Sequence, residues 1–417
     1  MNLTRLRGFQ DLIGARAKTL ALVEERAREI AKRYCVNEIR IPLLERIELY
    51  ARASGETSDV VEKQMYSFPD RDEAETTLAL RPEGTPGVVR AYIEAGLDRS
   101  DPEQRLFYSG PMFRRERPQK GRYRQFYQFG VEVFGRADAA SDAELIVMID
   151  DLRRDLGLEL TTEVNSLGCA DCRPAFRAAL LEYGRAHLSE LCRDCHSRLE
   201  RNPLRLLDCK IDVELAEAAP KSFDYLCEAC RKHFEQVRHL LGSCSIHYAF
   251  NPRLVRGLDY YTRTAFEVVS TDVGAQGSVA AGGRYDGLVE TLGGAPVPGT
   301  GFAIGLDRIA LAVEAKSEAT RLAVTAAIVP IGEAAVERAL GIARELRSHG
   351  LRAELLSAER KLKANLQRAD KIGARFAIII GENELNRGVA QLRDLEKSEQ
   401  REIPLEQLVA ELNRGDT

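Results

Sequence analysis

Apolar side chains between positions 15 and 34 recur at alternating steps of three and four: Leu20, Val23, Ala27, Ile30 and Tyr34. Charged residues fill the gaps, the pattern of a helix with one stripe against a core. Residues 37–44 (NEIRIPLL) read as a short strand running into a turn broken by proline. From 76 to 135 short β-like runs follow one another, TTLALRPEGT, QRLFYSGPMF and FYQFGVEVFG, each punctuated by Gly or Pro. Residues 142–157 return to the helical period. The stretch after them is mostly helix-like, with Pro174 placed to open one helix. β-like sequence resumes over 245–281 in SIHYAF, LDYYTRTAFEVVS and QGSVAAGG. A strand–glycine–helix unit, GFAIGLDRIALAV, spans 301–313.

Past a polar stretch at 314–321 the character changes. TAAIVP (325–330) and RFAIIIG (375–381) read as buried strands. Helix-like runs cover 333–348 and 360–371, with a strand, LRAELL, between them. Alternating strands and helices predict a small α/β domain on a central, mostly parallel sheet. The chain is therefore expected to hold a β-rich core over 1–320, a helical insertion over 168–246 and an α/β domain over 325–417.

Length and composition fit that division. At roughly 150 residues per domain, 417 residues suggest about two or three domains. The 60 Lys and Arg stand against 64 Asp and Glu, a net charge of −4, which excludes whole-molecule polycation behaviour but not a local basic surface. No apolar run approaches the roughly 18 residues of a membrane span. The start, MNLTRLRGFQDLIG, lacks the apolar stretch of a secretory signal, so a cytoplasmic address is expected.

Nine cysteines are the unusual figure, and seven lie between 169 and 230. Six of those form Cys-x-x-Cys pairs: Cys169/Cys172, Cys192/Cys195 and Cys227/Cys230. In a chain without a signal this spacing points to metal or redox chemistry before disulfides. One reading is a structural zinc held by two pairs, with Cys209 or the third pair nearby and His196 as a possible substitute ligand. Reduced structural thiols and disulfides are the alternatives.

The densest chemical signal is 112–124, MFRRERPQKGRYR. Arg114, Arg115, Arg117, Lys120, Arg122 and Arg124 oppose a single acid, Glu116. A solvated charged loop is the bland reading. The flanking strand-like runs make it a hairpin with a basic tip instead. On an extended chain Arg114 and Glu116 share a face, and a rooted guanidinium suits a phosphate. The tip suits a nucleic-acid backbone. On the returning strand Gln128, Gly130 and Glu132 share one side. That side is either an ordinary solvated face or a polar pocket floor, with Gly130 leaving room for a ligand. Residues 253–267 carry Arg256 and the paired Tyr260 and Tyr261, and a flexible Gly-rich segment at 280–287 holds Arg284 and Tyr285. It lacks the P-loop and dinucleotide-binding patterns. Arg308, in the first turn of a helix after Gly305, opposes the helix dipole, a tension an anionic ligand would resolve.

In their order these segments resemble the histidyl-tRNA synthetases, class II aminoacyl-tRNA synthetases, over essentially the whole chain. RGFQD (7–11) is similar to the family's start, and IPLLERIELYARASGETSDVVEKQMYSF to its motif 1. LRPEGT (80–85) resembles the histidine-binding segment, FRRERPQKGRYRQF motif 2, LVRGLDYYTRTAFE and AGGRYDGL the histidine-specific motifs, and GFAIGLDR motif 3. Gly14 stands where Pro is common, Arg115 where an aromatic or His is common, and the Cys-x-x-Cys pairs are more numerous than in many relatives.

The resemblance implies an α+β catalytic core on an antiparallel sheet with a helical insertion, and a C-terminal α/β anticodon-binding domain. It implies ATP-dependent ligation of histidine to its cognate tRNA through a histidyl-adenylate, with Mg²⁺ accompanying ATP. By carry-over Glu83, with Thr85 beside it, holds the substrate ammonium. Gln128 sits near the substrate carboxylate and ammonium. Glu132 and Tyr261, with Tyr260 near, recognise the imidazole, and Tyr285 lines the pocket. Arg114 binds the ATP α-phosphate with Glu116 beside it, Arg308 binds the γ-phosphate, and Arg256 is the catalytic arginine. Arg117, Lys120, Arg122 and Arg124 are implied tRNA contacts. RKLKANLQRADKIGAR (360–375), with six basic residues and one acidic, is a second basic element, either an exposed helix face or an RNA contact that salt would weaken. A homodimer without membrane attachment is expected. Two other readings are a regulatory subunit of ATP phosphoribosyltransferase, a synthetase-like paralogue that binds ligand without aminoacylating, and a non-catalytic RNA-binding protein.

Overall fold

A computed structural model describes residues 3–54, 60–73, 75–258, 260–271, 277–316 and 324–414. Positions 55–59 of the motif 1-like segment, Asp259, Gln276 and the end of the polar stretch from 317 lie outside the described residues. The chain separates into two compact units, Met1–Glu318 and Ala319–Thr417.

The first unit's strands are β1 (Asn37–Glu38), β2 (Leu44–Arg46), β3 (Tyr66–Pro69), β4 (Thr77–Leu80), β5 (Gln104–Phe113) and β6 (Gln125–Phe134). They continue with β7 (Thr161–Ser166), β8 (Tyr248–Phe250), β9 (Thr262–Val269), β10 (Ser278–Arg284) and β11 (Gly299–Gly305). Eight of them form one sheet in the order β1-β5-β6-β11-β10-β9-β7-β8. Only the two outermost pairings, β1/β5 and β7/β8, are parallel. The basic segment 114–124 joins β5 to β6 as a hairpin loop, with Phe113 opposite Gln125.

One face of this sheet is apolar. Phe129, Val131 and Val133 of β6 pack against Leu20, Val23, Ala27 and Ile30 of the helix Ala15–Arg33, and against the helix Ala139–Asp155. Because the strand period is two, Gln128, Gly130 and Glu132 point to the opposite face. Phe234, Val237 and Leu241 of the helix Glu228–Ser243 lie in the same core, so the last helix of the stretch read as an insertion belongs to the main body. The helix Thr85–Glu94 interrupts a stretch read as consecutive β runs.

A buried ion network ties these layers together. Arg284, at the end of β10, is fully buried and pairs with Asp142 at 2.6 Å and with Asp286 at 2.9 Å. Asp142 also meets His233 Nε2 at 2.8 Å. The glycines before Arg284 lie in a central strand, which corrects the expectation of a flexible segment, although its pairing with β9 shifts register between Gly283 and Arg284. β2, β4 and β3 form a separate antiparallel sheet. Ala79 on its inner face packs with Tyr50 and Met65. Leu44 and Phe68 on its outer face are 42% and 43% exposed.

The second unit holds β12 (Val324–Pro330), β13 (Ala353–Leu355), β14 (Ala374–Ile380), β15 (Val389–Asp394) and β16 (Gln400–Pro404), ordered β13-β12-β14-β15-β16. β12 runs parallel to β13 and β14, while β15 is antiparallel to both its neighbours. The sheet is therefore mixed rather than mostly parallel. The link between β14 and β15 is too short for a crossover, which takes a dozen or more residues.

Candidate active site

The polar face of the large sheet floors a pocket of about 580 Å³. Glu83, Thr85, Arg114, Glu116, Arg122, Gln128, Glu132, Arg256, Tyr260, Tyr261, Tyr285 and Arg308 all line it, although they come from segments scattered over more than 200 positions.

Glu132 is the deepest charged group. It accepts a hydrogen bond from Thr85 Oγ1 at 2.7 Å on one carboxylate oxygen and from the Tyr285 hydroxyl on the other. Burial pushes its pKa up to about 8; the Thr85 and Tyr285 hydroxyls offset part of the rise and Glu83 adds to it. Gly301 faces Glu132 across the β6–β11 pairing, and a Cβ there would collide with a Glu132 carboxylate oxygen. Gly130 has a different role from the one expected. Its vacant side-chain position is filled by the Tyr108 ring, which a Cβ would strike, so the glycine seats an aromatic ring rather than a ligand. Tyr108 was missed by sequence reasoning because nothing in QRLFYSGPMF separates it from ordinary core aromatics.

Glu83 follows β4 and precedes the helix Thr85–Glu94. Its carboxylate accepts from Ser54 Oγ at 3.3 Å and from the Tyr260 hydroxyl at 3.1 Å. Burial raises its pKa, and Arg114 pulls in the opposite direction. Tyr260 thus engages Glu83, while its ring stacks obliquely on Tyr261 at 4.7 Å between centroids. Gln128 Oε1 is buried without a protein partner, and a free amide oxygen facing a polar cavity invites a ligand donor.

The arginines line the same pocket, with Arg114 and Arg256 near enough to Glu83 to act on its charge. Arg114 is fixed by a hydrogen bond from Nε to the Pro82 carbonyl at 2.8 Å and lies over the Phe126 ring. Glu116 pairs more closely with Arg122, at 3.0 Å, than with Arg114, at 4.0 Å. Arg308 donates to the carbonyls of Gly121 and Ser278. Burial lowers its pKa, and the nearby Arg122 lowers it further. Backbone carbonyls thus satisfy part of a guanidinium that the helix dipole repels. Arg256 lies over the Tyr261 ring at 5.4 Å, and its Nε is buried without a protein partner.

The basic hairpin divides in two. Arg115, Arg117 and Lys120 are exposed. Arg122 turns into the pocket, and Arg124 anchors the N-terminal segment, with its N–H bonded to the Gly8 carbonyl at 2.7 Å and its side chain packed over Gly8. In the second unit Arg360, Lys361, Lys363 and Lys371 are exposed, while Arg368 pairs with Glu354 at 3.1 Å.

All nine cysteines are free thiols. Cys169, Cys172, Cys227 and Cys230 converge, with ligand atoms within 4.8 Å of one another. The third pair, Cys192 and Cys195, converges instead with Cys209 and Asp212. His196 is exposed and belongs to neither group.

Four arginines and two buried carboxylates around a pocket floored by one face of a mainly antiparallel sheet define the core of a class II aminoacyl-tRNA synthetase. Residues 8–309 match the family model described as Histidyl-tRNA synthetase, and residues 325–414 the one described as Anticodon binding domain. The chain belongs to the histidyl-tRNA synthetase family. It is 46% identical to the histidine–tRNA ligase of Desulforamulus reducens, over 97% of this chain and 98% of that one. The crystal structure of apo S. aureus histidyl-tRNA synthetase aligns with a TM-score of 0.80 at 34% identity, covering 99% of this chain and 100% of that one. A Bacillus halodurans structure described as an ATP phosphoribosyltransferase regulatory subunit/histidyl-tRNA synthetase shares the fold, with a TM-score of 0.67 at 23% identity over 91% of this chain and 99% of that one.

Proposed function

We propose that this pocket joins histidine to its cognate tRNA in two steps. In the first, a histidine carboxylate oxygen attacks the α-phosphorus of ATP, the bond to the bridging oxygen breaks, and pyrophosphate leaves. In the second, a hydroxyl at the tRNA 3′ end attacks the histidyl carbonyl carbon and AMP leaves. The observation that carries this reading is the buried Glu132, set between Thr85 and Tyr285 in the same pocket as Arg114, Arg256 and Arg308.

Glu83 holds the substrate ammonium, with Tyr260 orienting its carboxylate, and Gln128 reaches the carboxylate and ammonium. Glu132 and Tyr261 recognise the imidazole, whose two nitrogens need separate partners. Thr85 and Tyr285 orient Glu132. Arg114, with Glu116 beside it, binds the α-phosphate and Arg308 the γ-phosphate. Arg256 stabilises charge that develops at the α-phosphate; such transfers rest on positioning and electrostatics. Mg²⁺ would enter with ATP, held mainly by the phosphates.

Exposed Arg117 and Lys120 on the hairpin and the basic face around Lys361 and Lys363 supply tRNA backbone contacts. The open apolar face bearing Leu44 and Phe68 supports a homodimer. The Cys169, Cys172, Cys227 and Cys230 group supports one structural zinc: two Sγ–Sγ separations of 3.5 and 4.0 Å bracket the roughly 3.8 Å edge of a tetrahedron with Zn–S bonds of about 2.3 Å. Among the described residues no helix is long and apolar enough to cross a membrane; a cytoplasmic enzyme is our reading.

The test is ATP–pyrophosphate exchange with each amino acid in turn. Histidine alone supports exchange, and Arg256→Ala lowers it roughly 10²–10³-fold, the scale for removing one preorganised donor. Near-normal exchange in that variant refutes the assignment. No exchange with histidine in the intact chain leaves the regulatory-subunit reading in its place.

A further inference from the structure

We propose that Cys192, Cys195, Cys209 and Asp212 form a second structural zinc site, and that this site fixes the loop presenting Asp208 and Lys210 to the substrate pocket. The four ligand atoms lie within 4.8 Å of one another, and Cys192 Sγ is 3.8 Å from Cys209 Sγ. That separation matches a tetrahedral edge for Zn–S bonds of about 2.3 Å and exceeds by far the roughly 2.05 Å of a disulfide.

The local backbone has the form of two metal knuckles. Cys192 precedes the helix Arg193–Arg198, and its sulfur accepts the Cys195 N–H at 3.4 Å. Three residues apart in the same way, the Cys209 sulfur accepts the Asp212 N–H at 3.3 Å. The segment Cys209-Lys-Ile-Asp212 is therefore a Cys-x-x-Cys knuckle with a carboxylate in its second place. The Asp212 carboxylate is oriented by the Cys192 N–H, 3.1 Å from each oxygen, and keeps lone pairs for a metal. Three thiolates select a soft ion of the zinc type over Mg²⁺ or Ca²⁺.

The site's position gives it a role. Asp208 and Lys210, on either side of Cys209, both line the substrate pocket. Arg205 pairs with Asp208 at 2.7 Å and donates to the Gly257 carbonyl at 3.3 Å, next to Arg256. A metal at Cys209 and Asp212 thus holds the 205–212 chain against the segment that carries Arg256. The carboxylate is a harder ligand than a fourth thiolate, so this site releases zinc to a chelator before the four-cysteine group does.

The test is metal content of the full chain purified without chelator, with Co²⁺ substitution as a spectroscopic readout. Two zinc ions per chain are expected. Cys209→Ser with Asp212→Asn leaves one, Cys169→Ser with Cys172→Ser also leaves one, and Asp212→Cys keeps two with stronger sulfur-to-cobalt charge-transfer absorption. A wild-type content of zero, or a zinc content that the Cys209/Asp212 double variant leaves unchanged, overturns the site. For the loop, selective loss of this ion raises KM for ATP or histidine by roughly tenfold, the scale for disturbing groups that orient a site; unchanged KM values overturn that half. Metal counting does not depend on activity, so these results stay separate from the histidine exchange test.

Discussion

Glu132→Gln tests imidazole recognition most directly. In the empty pocket Glu132 keeps its proton up to about pH 8, because burial disfavours the carboxylate. The titratable groups around it are Glu83 and the phenols of Tyr108, Tyr260, Tyr261 and Tyr285, and burial holds those phenols above their ordinary range. The free imidazole titrates at roughly 6.5. We take the bound pair to be an imidazolium on the Glu132 carboxylate, which holds one titrating proton between the two groups. Below about 6.5 both partners are protonated and binding must release a proton. Between about 6.5 and 8 the proton count already matches. Above about 8 binding must take one up, so KM for histidine rises about tenfold per pH unit.

Replacing the carboxylate by an amide removes that upper limb. It also costs a charged hydrogen bond, roughly 1.5–3 kcal/mol, or about ten- to hundredfold in KM at pH 7.5. The assay is histidine-dependent exchange from pH 5.5 to 9.5, with KM for ATP as the control for general pH effects. A limb from the substrate ammonium, which faces Glu83, persists in both proteins. The reasoning is refuted if wild type lacks a limb near pH 8 that the variant loses, or if the Glu132→Gln variant binds histidine normally. Linkage gives a second readout. The folded pKa lies above the ordinary value of 4.5, so the stabilising contribution is present below pH 4.5 and lost as pH climbs to about 8. That loss is at most roughly 5 kcal/mol, and Glu132→Gln removes the slope from the pH dependence of Tm.

Packing sets two more expectations. Gly301→Ala puts a methyl 2.6 Å from the Val131 carbonyl as well as against Glu132; overpacking of this kind costs about 1–3 kcal/mol, and histidine KM should rise more than ATP KM in exchange assays. Asp142→Ala leaves Arg284 buried beside a lost partner and should cost about 3–5 kcal/mol in urea unfolding; a change below about 1 kcal/mol, the scale of an ordinary surface pair, would show that the network is dispensable. Burial opposes ionisation of Asp142, but His233 and Arg284 hold its pKa below the usual carboxylate range, so its contribution is present above that range and is lost as acid protonates it.

What could be read from the sequence was set by how local each signal is. The helix Ala15–Arg33 and strands β5 and β6 carry their period within the segment, and Gln128 and Glu132 share a face because strand geometry requires it. Strands β15 and β16 stayed hidden because VAQLRD and QREIP are short and carry charged residues; β16 is an edge strand, where charge is common, while β15 lies between β14 and β16. Side-chain destinations inside the site were less legible. Arg122 and Arg124 look alike in GRYR, yet one enters the pocket and the other clasps Gly8. Gly130 could have faced a ligand or a ring, and only the return of β5 brings Tyr108 over it. Asp212 is the sharpest case. Read along the chain, it is one acid among many. It becomes a ligand candidate only when the fold brings Cys192 and Cys195 to the sulfur of Cys209, three residues before it. A Cys-x-x-Asp knuckle therefore has to be recognised by the pair it faces, and this chain supplies that pair in the one Cys-x-x-Cys unit its four-cysteine group leaves over.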